Sequence, residues 1–197
     1  YVENGRITFH CNGLVRGLVN GNDTWWYVTG SKVNFCNTVA SNACGWWKIT
    51  NGRVDFDFSG LAENAYGWGK ITNGQVDFSY VGYEQNGSNW WYVYGGQVCF
   101  QATDVLPGTV GGQYGWWKVC EGKVNFDDDV CENAYGWWKI TTGKVDFQYT
   151  GLAQNACGWW MIQNGHVNFG SNGLVDNGNG WWLVKNGGVD FNYNGLV

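Results

Sequence analysis

Along this chain, apolar and polar residues alternate in short runs that glycine interrupts at regular intervals. In "GWWKITNGRVDF" (45–56) a period of two places Trp47, Ile49, Val54 and Phe56 on one side of an extended strand and Trp46, Lys48 and Asp55 on the other. Between the two halves stands Asn51-Gly52, the pair that best fits a two-residue type I′ turn, where both residues need positive φ. The predicted register pairs Thr50 with Arg53, Ile49 with Val54, Lys48 with Asp55, and Trp47 with Phe56. The same dipeptide recurs at Asn73-Gly74, Asn164-Gly165 and Asn186-Gly187. Gly30-Ser31, Gly95-Gly96, Glu121-Gly122 and Thr142-Gly143 take its place in the sister segments.

A tryptophan pair opens every copy, at Trp25, Trp46, Trp68, Trp90, Trp116, Trp137, Trp159 and Trp181, which number copies one to eight. The spacings are 21, 22 and 22 residues, then 26, then 21, 22 and 22. A fixed period of this length marks a stacked repeat architecture. The expected fold is therefore all-β, a solenoid or superhelical stack of two-stranded β-hairpins with about 22 residues per repeat. In the third copy Gly69 replaces the second tryptophan, so a cavity or inward-leaning neighbours are expected there. Half a copy, "ENGRITFHCNGLV", precedes the first pair and the chain closes in the same phase at "FNYNGLV", so the array is expected to be cut from a longer protein. The segment 101–115 is four residues longer than its counterparts and holds Pro107, the only proline. It divides the chain into a subarray over 1–100, a longer connector over 101–115 and a second subarray over 116–197, or else bulges from one continuous array over 1–197.

Alternation assigns the two tryptophans of a pair to different surroundings. The second shares a face with Ile49 and Val54 and is expected in the core. The first shares a face with Lys48 and Asp55, a cross-strand pair repeated at Lys70/Asp77 and Lys139/Asp146 that suits a wet surface. The first tryptophan either packs between successive hairpins or presents its flat indole to a ligand, and the two are compatible. On the ligand reading, Trp25, Trp46, Trp68, Trp90, Trp116, Trp137, Trp159 and Trp181 line shallow grooves, with Tyr66 and Tyr135 as side walls. Connectors such as "DFSGLAENAYG" (57–67) and "QYTGLAQNACG" (148–158) bring Leu61 and Leu152 to plug the core. Cys44 and Cys157 stand where sister copies have Tyr66 and Tyr135.

Composition narrows the function. Aromatics make up 18% of the residues against 14% charged, so the chain has a large apolar surface to bury or use. A net charge of −5 without a basic patch argues against nucleic acid, and no apolar run reaches the roughly 20 residues of a spanning helix. Among the seven cysteines, Cys36/Cys44 and Cys120/Cys131 are close enough in sequence to bridge, while the rest read as small apolar residues. No CxxC occurs, His10 and His166 lack ligand spacing, and "DDDV" (127–130) lacks the alternating ligands of a calcium loop and reads as a solvated connector. Asp55, Asp77, Asp146 and Asp190 are copies of one repeat position rather than a unique acid pair, and no nucleophile motif is present. No enzyme and no cofactor are expected.

The segments "YTGLAQNACGWWMIQNGHVNF" (149–169) and "FSGLAENAYGWGKITNGQVDF" (58–78) resemble the tryptophan- and glycine-rich repeats of Gram-positive surface and secreted proteins, which are similar to choline-binding and glucan-binding cell-wall repeats. The resemblance covers essentially the whole chain. It implies a superhelical stack of hairpins with aromatic cages between neighbours, in which Trp46, Trp68, Trp137 and Trp159 match the hairpin aromatic. Where those relatives carry Gly-Trp, this chain has Gly60-Leu61, Gly151-Leu152 and Gly195-Leu196, which shifts the expected ligand from choline to a glycan or another polymer. The expected function is thus a noncatalytic, extracellular or cell-surface module that binds cell-wall or other polysaccharide. A structural spacer or adhesion surface without a glycan ligand is the alternative.

Overall fold

The computed structural model describes residues 1–197, which form two compact units, Tyr1–Cys99 and Phe100–Val197. Both are built from antiparallel strands alone. Each tight turn forms as the sequence dictates: Asn51 and Gly52 have φ of 49° and 77°, and Ile49 pairs with Val54 and Thr50 with Arg53. The backbone N–H of Asp55 donates to the Lys48 carbonyl at 2.9 Å, which carries the register one step further.

The copies are not two-stranded. The connector contains a strand of its own, Gly60–Asn64 in the third copy, which pairs with the tryptophan strand Gly67–Thr72 from Asn64↔Gly67 to Ile71↔Gly60. A short strand, Gln75–Val76, completes a three-stranded meander. The segment 101–115 is likewise folded rather than a linker, because its strand Asp104–Val110 pairs with Gln113–Cys120 and sets Pro107 opposite Trp116. Its counterpart in the first unit is Gly13–Val19, paired with Asn22–Thr29. Each unit therefore contains one long hairpin followed by three shorter ones.

Within each unit the copies interlock through a fourth pairing. The second tryptophan position of one copy pairs with the residue that follows the turn of the next: Trp26↔Arg53, Trp47↔Gln75 and Gly69↔Gln97 in the first unit, Trp117↔Lys144, Trp138↔His166 and Trp160↔Gly188 in the second. The turn glycine locks this seam. Gly74 donates its N–H to the Phe58 carbonyl and accepts from the Lys48 N–H, both at 2.8 Å. A Cβ at Gly74 would lie 2.5 Å from the Asp55 carbonyl oxygen, so close approach as well as positive φ demands glycine.

The core includes a series of clusters at five of these seams, and each draws on two copies. In one, Val39 and Trp46 of the second copy meet Ala62, Ile71 and Val76 of the third. In another, Val130 and Trp137 meet Ala153, Ile162, Val167 and Trp160. Ile49, Ile71, Ile140 and Ile162 are fully buried, and each such side chain contributes about 1.5–3 kcal/mol. Both faces of a tryptophan strand are therefore used: Ile71 and the second-tryptophan position face the preceding copy, and the first tryptophan faces the following one.

Candidate functional site

That arrangement corrects the expected wet face. Lys70 and Lys139 are buried, and neither pairs with the cross-strand aspartate. Lys70 Nζ instead bonds Glu84 Oε2 at 2.7 Å, and Lys118 Nζ bonds Asp129 Oδ2 at 2.6 Å, each carboxylate coming from the next copy. Lys48 and Lys70 also lie over the rings of Phe58 and Tyr80, at 5.4 and 5.2 Å from the centroids. The cross-strand aspartates have other partners, as where Thr50 Oγ1 donates to Asp55 Oδ2 at 2.9 Å.

"DDDV" is not merely solvated. Asp128 Oδ1 accepts the Thr142 N–H at 2.7 Å and Asp129 holds Lys118. The Thr142 amide chiefly holds the Asp128 carboxyl below the usual carboxylate range. For Asp129, burial pulls upward, yet the hydrogen bond from Lys118 and the Val130 amide outweigh it and the pKa falls. All seven cysteines are free. Burial, with the Asp129 carboxylate second, pushes the Cys131 thiol up to about 12, so at neutral pH it is a protonated, unreactive thiol.

The first tryptophans are set in the seams rather than on an open face. Trp25, Trp46, Trp68, Trp116 and Trp137 each pack against the core cluster of the next copy. They and Trp90 and Trp159 remain half-buried, whereas Trp181 is 68% exposed. The second tryptophans are less uniformly core than alternation predicts: Trp26 and Trp117 are buried, Trp47, Trp138 and Trp160 only half-buried. Leu61 and Leu152 are buried as expected, but from within a strand.

The predicted side walls are the most exposed aromatics at the seams. Tyr66 is 80% exposed and meets Trp46 edge-on, with ring centroids 5.7 Å apart and planes at 89°. Tyr135, 75% exposed, meets Trp116 of the copy before it at 5.4 Å and 65°. Each pair makes an aromatic corner with one wall in solvent. Where Cys44 replaces the tyrosine, a groove is lined by Trp25, Trp47 and Phe56. A recess of about 220 Å³ lies at Gly69 between Trp46, Tyr66, Trp68 and Phe78. The tryptophans and tyrosines thus give two separate corners, Trp46/Tyr66 and Trp116/Tyr135, rather than one site.

Sequence reasoning missed the asparagine that organises each corner. Asn155 Oδ1 accepts both the Cys157 N–H and the Trp160 Nε1–H at 2.9 Å, and its Nδ2 donates to the Val130 carbonyl of the preceding copy. Asn133 does the same with Tyr135, Trp138 and Val105. A signal was available: the Asn of the recurring "NAYG" and "NACG" is the residue that closes an Asx turn.

Fold and site together define a tandem array of interlocking β-meanders with aromatic corners at the seams. The choline-binding repeat family model matches residues 16–34, 79–99, 148–168 and 170–190, so these segments are similar to choline-binding repeats. Such repeats form binding modules and are typical of cell-surface proteins. No curated protein matches the chain, and no helix is long and apolar enough to cross a membrane.

Proposed function

We propose that the chain is a noncatalytic module that attaches its parent protein to cell-wall or other polysaccharide outside the cell, its copies following one another as a solenoid within each unit. The observation that carries this reading is the aromatic corner, in which the exposed ring of Tyr66 or Tyr135 stands edge-on to a half-buried indole. A sugar ring offers an apolar C–H face to such an indole and hydroxyls to the water beside it. Individual corners are weak, and a polymer that engages several gains through effective concentration. Acrylamide quenching of tryptophan fluorescence tests the proposal: wall polysaccharide shields the half-buried indoles, and unchanged quenching with every wall glycan rejects it.

One observation favours the alternative of a structural spacer. Trp46, Trp68, Trp116 and Trp137 belong to core clusters, so packing alone accounts for their presence. The exposed tyrosines have no such packing role, and they separate the two readings.

A further inference from the structure

The recess at Gly69 has the shape of a missing side chain, and the sister copies show which one. In the sixth copy the equivalent space is filled by Trp138, which packs 5.8 Å from Trp116 and 5.5 Å from Phe147. Its edge meets His166 at 4.8 Å and its Nε1–H reaches Asn133 Oδ1 at 2.9 Å. In the seventh copy Trp160 sits the same way, 5.5 Å from Trp137 and 5.9 Å from Phe169, bonded to Asn155. Each of those surrounding groups has a counterpart in the walls at Gly69: Trp46 for Trp116, Phe78 for Phe147, Gln97 for His166 and Asn64 for Asn133. Asn64 Oδ1 keeps its turn bond from the Tyr66 N–H at 2.8 Å, but no indole is there to donate the second.

The geometry points to a binding site at Gly69 for a small planar heteroaromatic molecule that carries a ring N–H, an indole in size and polarity. The volume of about 220 Å³ exceeds the roughly 150 Å³ of an apolar cavity that takes a benzene ring, so a fused two-ring system fits. Trp46, Ala62, Val76 and Phe78 supply apolar contact, and the Asn64 carbonyl oxygen supplies one acceptor at the depth where the sister indoles place their N–H. The seam has already formed around this space through Gly69↔Gln97, so little ordering remains when the ligand enters. The recess shares Trp46 and Tyr66 with one corner of the polysaccharide reading, but the assignment rests on one absent side chain rather than on a row of corners.

Indole itself is the probe, titrated into the full chain by calorimetry and followed by the indole N–H resonances of Trp46 and Trp68. We expect saturable binding of one equivalent with both resonances shifted, and about tenfold weaker binding of 1-methylindole, which cannot donate to Asn64. Gly69→Trp refills the space. At that position a Cβ would lie 3.6 Å from the Gly96 carbonyl oxygen and 3.8 Å from Val76, ordinary contacts, so the variant is expected to fold and to lose indole binding. Should it fail to fold, the wild-type shifts and the 1-methylindole comparison still decide the matter. No saturable binding, equal affinity for 1-methylindole, binding undiminished in folded Gly69→Trp, or a preference for tetramethylammonium over indole would each overturn the assignment.

Discussion

Trp160 donates its indole N–H to Asn155 Oδ1 at 2.9 Å, and the same oxygen accepts the Cys157 amide, so one side chain fixes both the turn and the tryptophan beside it. Asn155→Ala breaks both of these and the Nδ2 bond to the Val130 carbonyl, and is expected to cost about 3 kcal/mol in urea denaturation. At Asn64 only the turn bond exists. Asn64→Ala should therefore cost about a third as much. Equal losses at the two sites would show that the indole bond and the bond to the Val130 carbonyl contribute nothing.

Thr142 stands in the first position of its turn at φ of 47°, where Asn51, Asn73, Asn164 and Asn186 occupy the sister turns. A β-branched residue in the left-handed region is strained, and asparagine tolerates it. Thr142→Asn should stabilise the second unit by about 1 kcal/mol, seen as a rise of roughly 4–8 °C in its melting temperature. A fall would mean that the Thr142 Oγ1 bond to the Thr141 carbonyl, at 2.8 Å, matters more than the backbone strain.

Lys70 and Glu84 join the third and fourth copies at 2.7 Å, with side chains 11% and 22% exposed. Glu84→Gln leaves a buried ammonium without its charge partner and is expected to cost about 2 kcal/mol. Lys70→Met places there the residue that Met161 already supplies in the seventh copy, and leaves Glu84 free to turn toward water. It should cost less than Glu84→Gln. The reverse order in chemical denaturation would contradict the account of this seam.

Asp128 and Asp129 have folded pKa values below their unfolded ones. Their contribution to stability is therefore fully present above the ordinary aspartate value of 3.8 and is lost as the pH falls through the depressed folded values. Thermal melts from pH 6 to pH 2 should show the second unit losing stability below about pH 4. In the Asp128→Asn/Asp129→Asn variant that slope should flatten.

The tight turns and their register were legible because Asn-Gly and its substitutes admit few backbone geometries. The extra strand was not. In "GLAEN" Leu61 and Ala62 are both buried, since Leu61 belongs to the cluster of the fourth copy and Ala62 to that of the third, and consecutive buried residues erase the period of two. Lysine burial was hidden for a related reason. Lys70 finds its carboxylate at Glu84, in another copy, whereas the sequence pattern offers Asp77 directly across the hairpin. The recess at Gly69 was anticipated by the broken tryptophan pair, but the acceptor in its wall became visible only once Asn133 and Asn155 were seen to hold their indoles.

The central claim is that exposed aromatic corners bind wall polysaccharide, and the most direct test is cosedimentation of the full chain with insoluble wall polysaccharide. The variant of choice is Tyr66→Ala/Tyr135→Ala, because these rings are exposed whereas the tryptophans beneath them hold the seams together. The wild type is predicted to cosediment, and the double variant to bind about tenfold more weakly while melting within a few degrees of the wild type. A wild type that binds no wall glycan, or a double variant that binds as well as the wild type, would contradict the claim and leave the array a spacer.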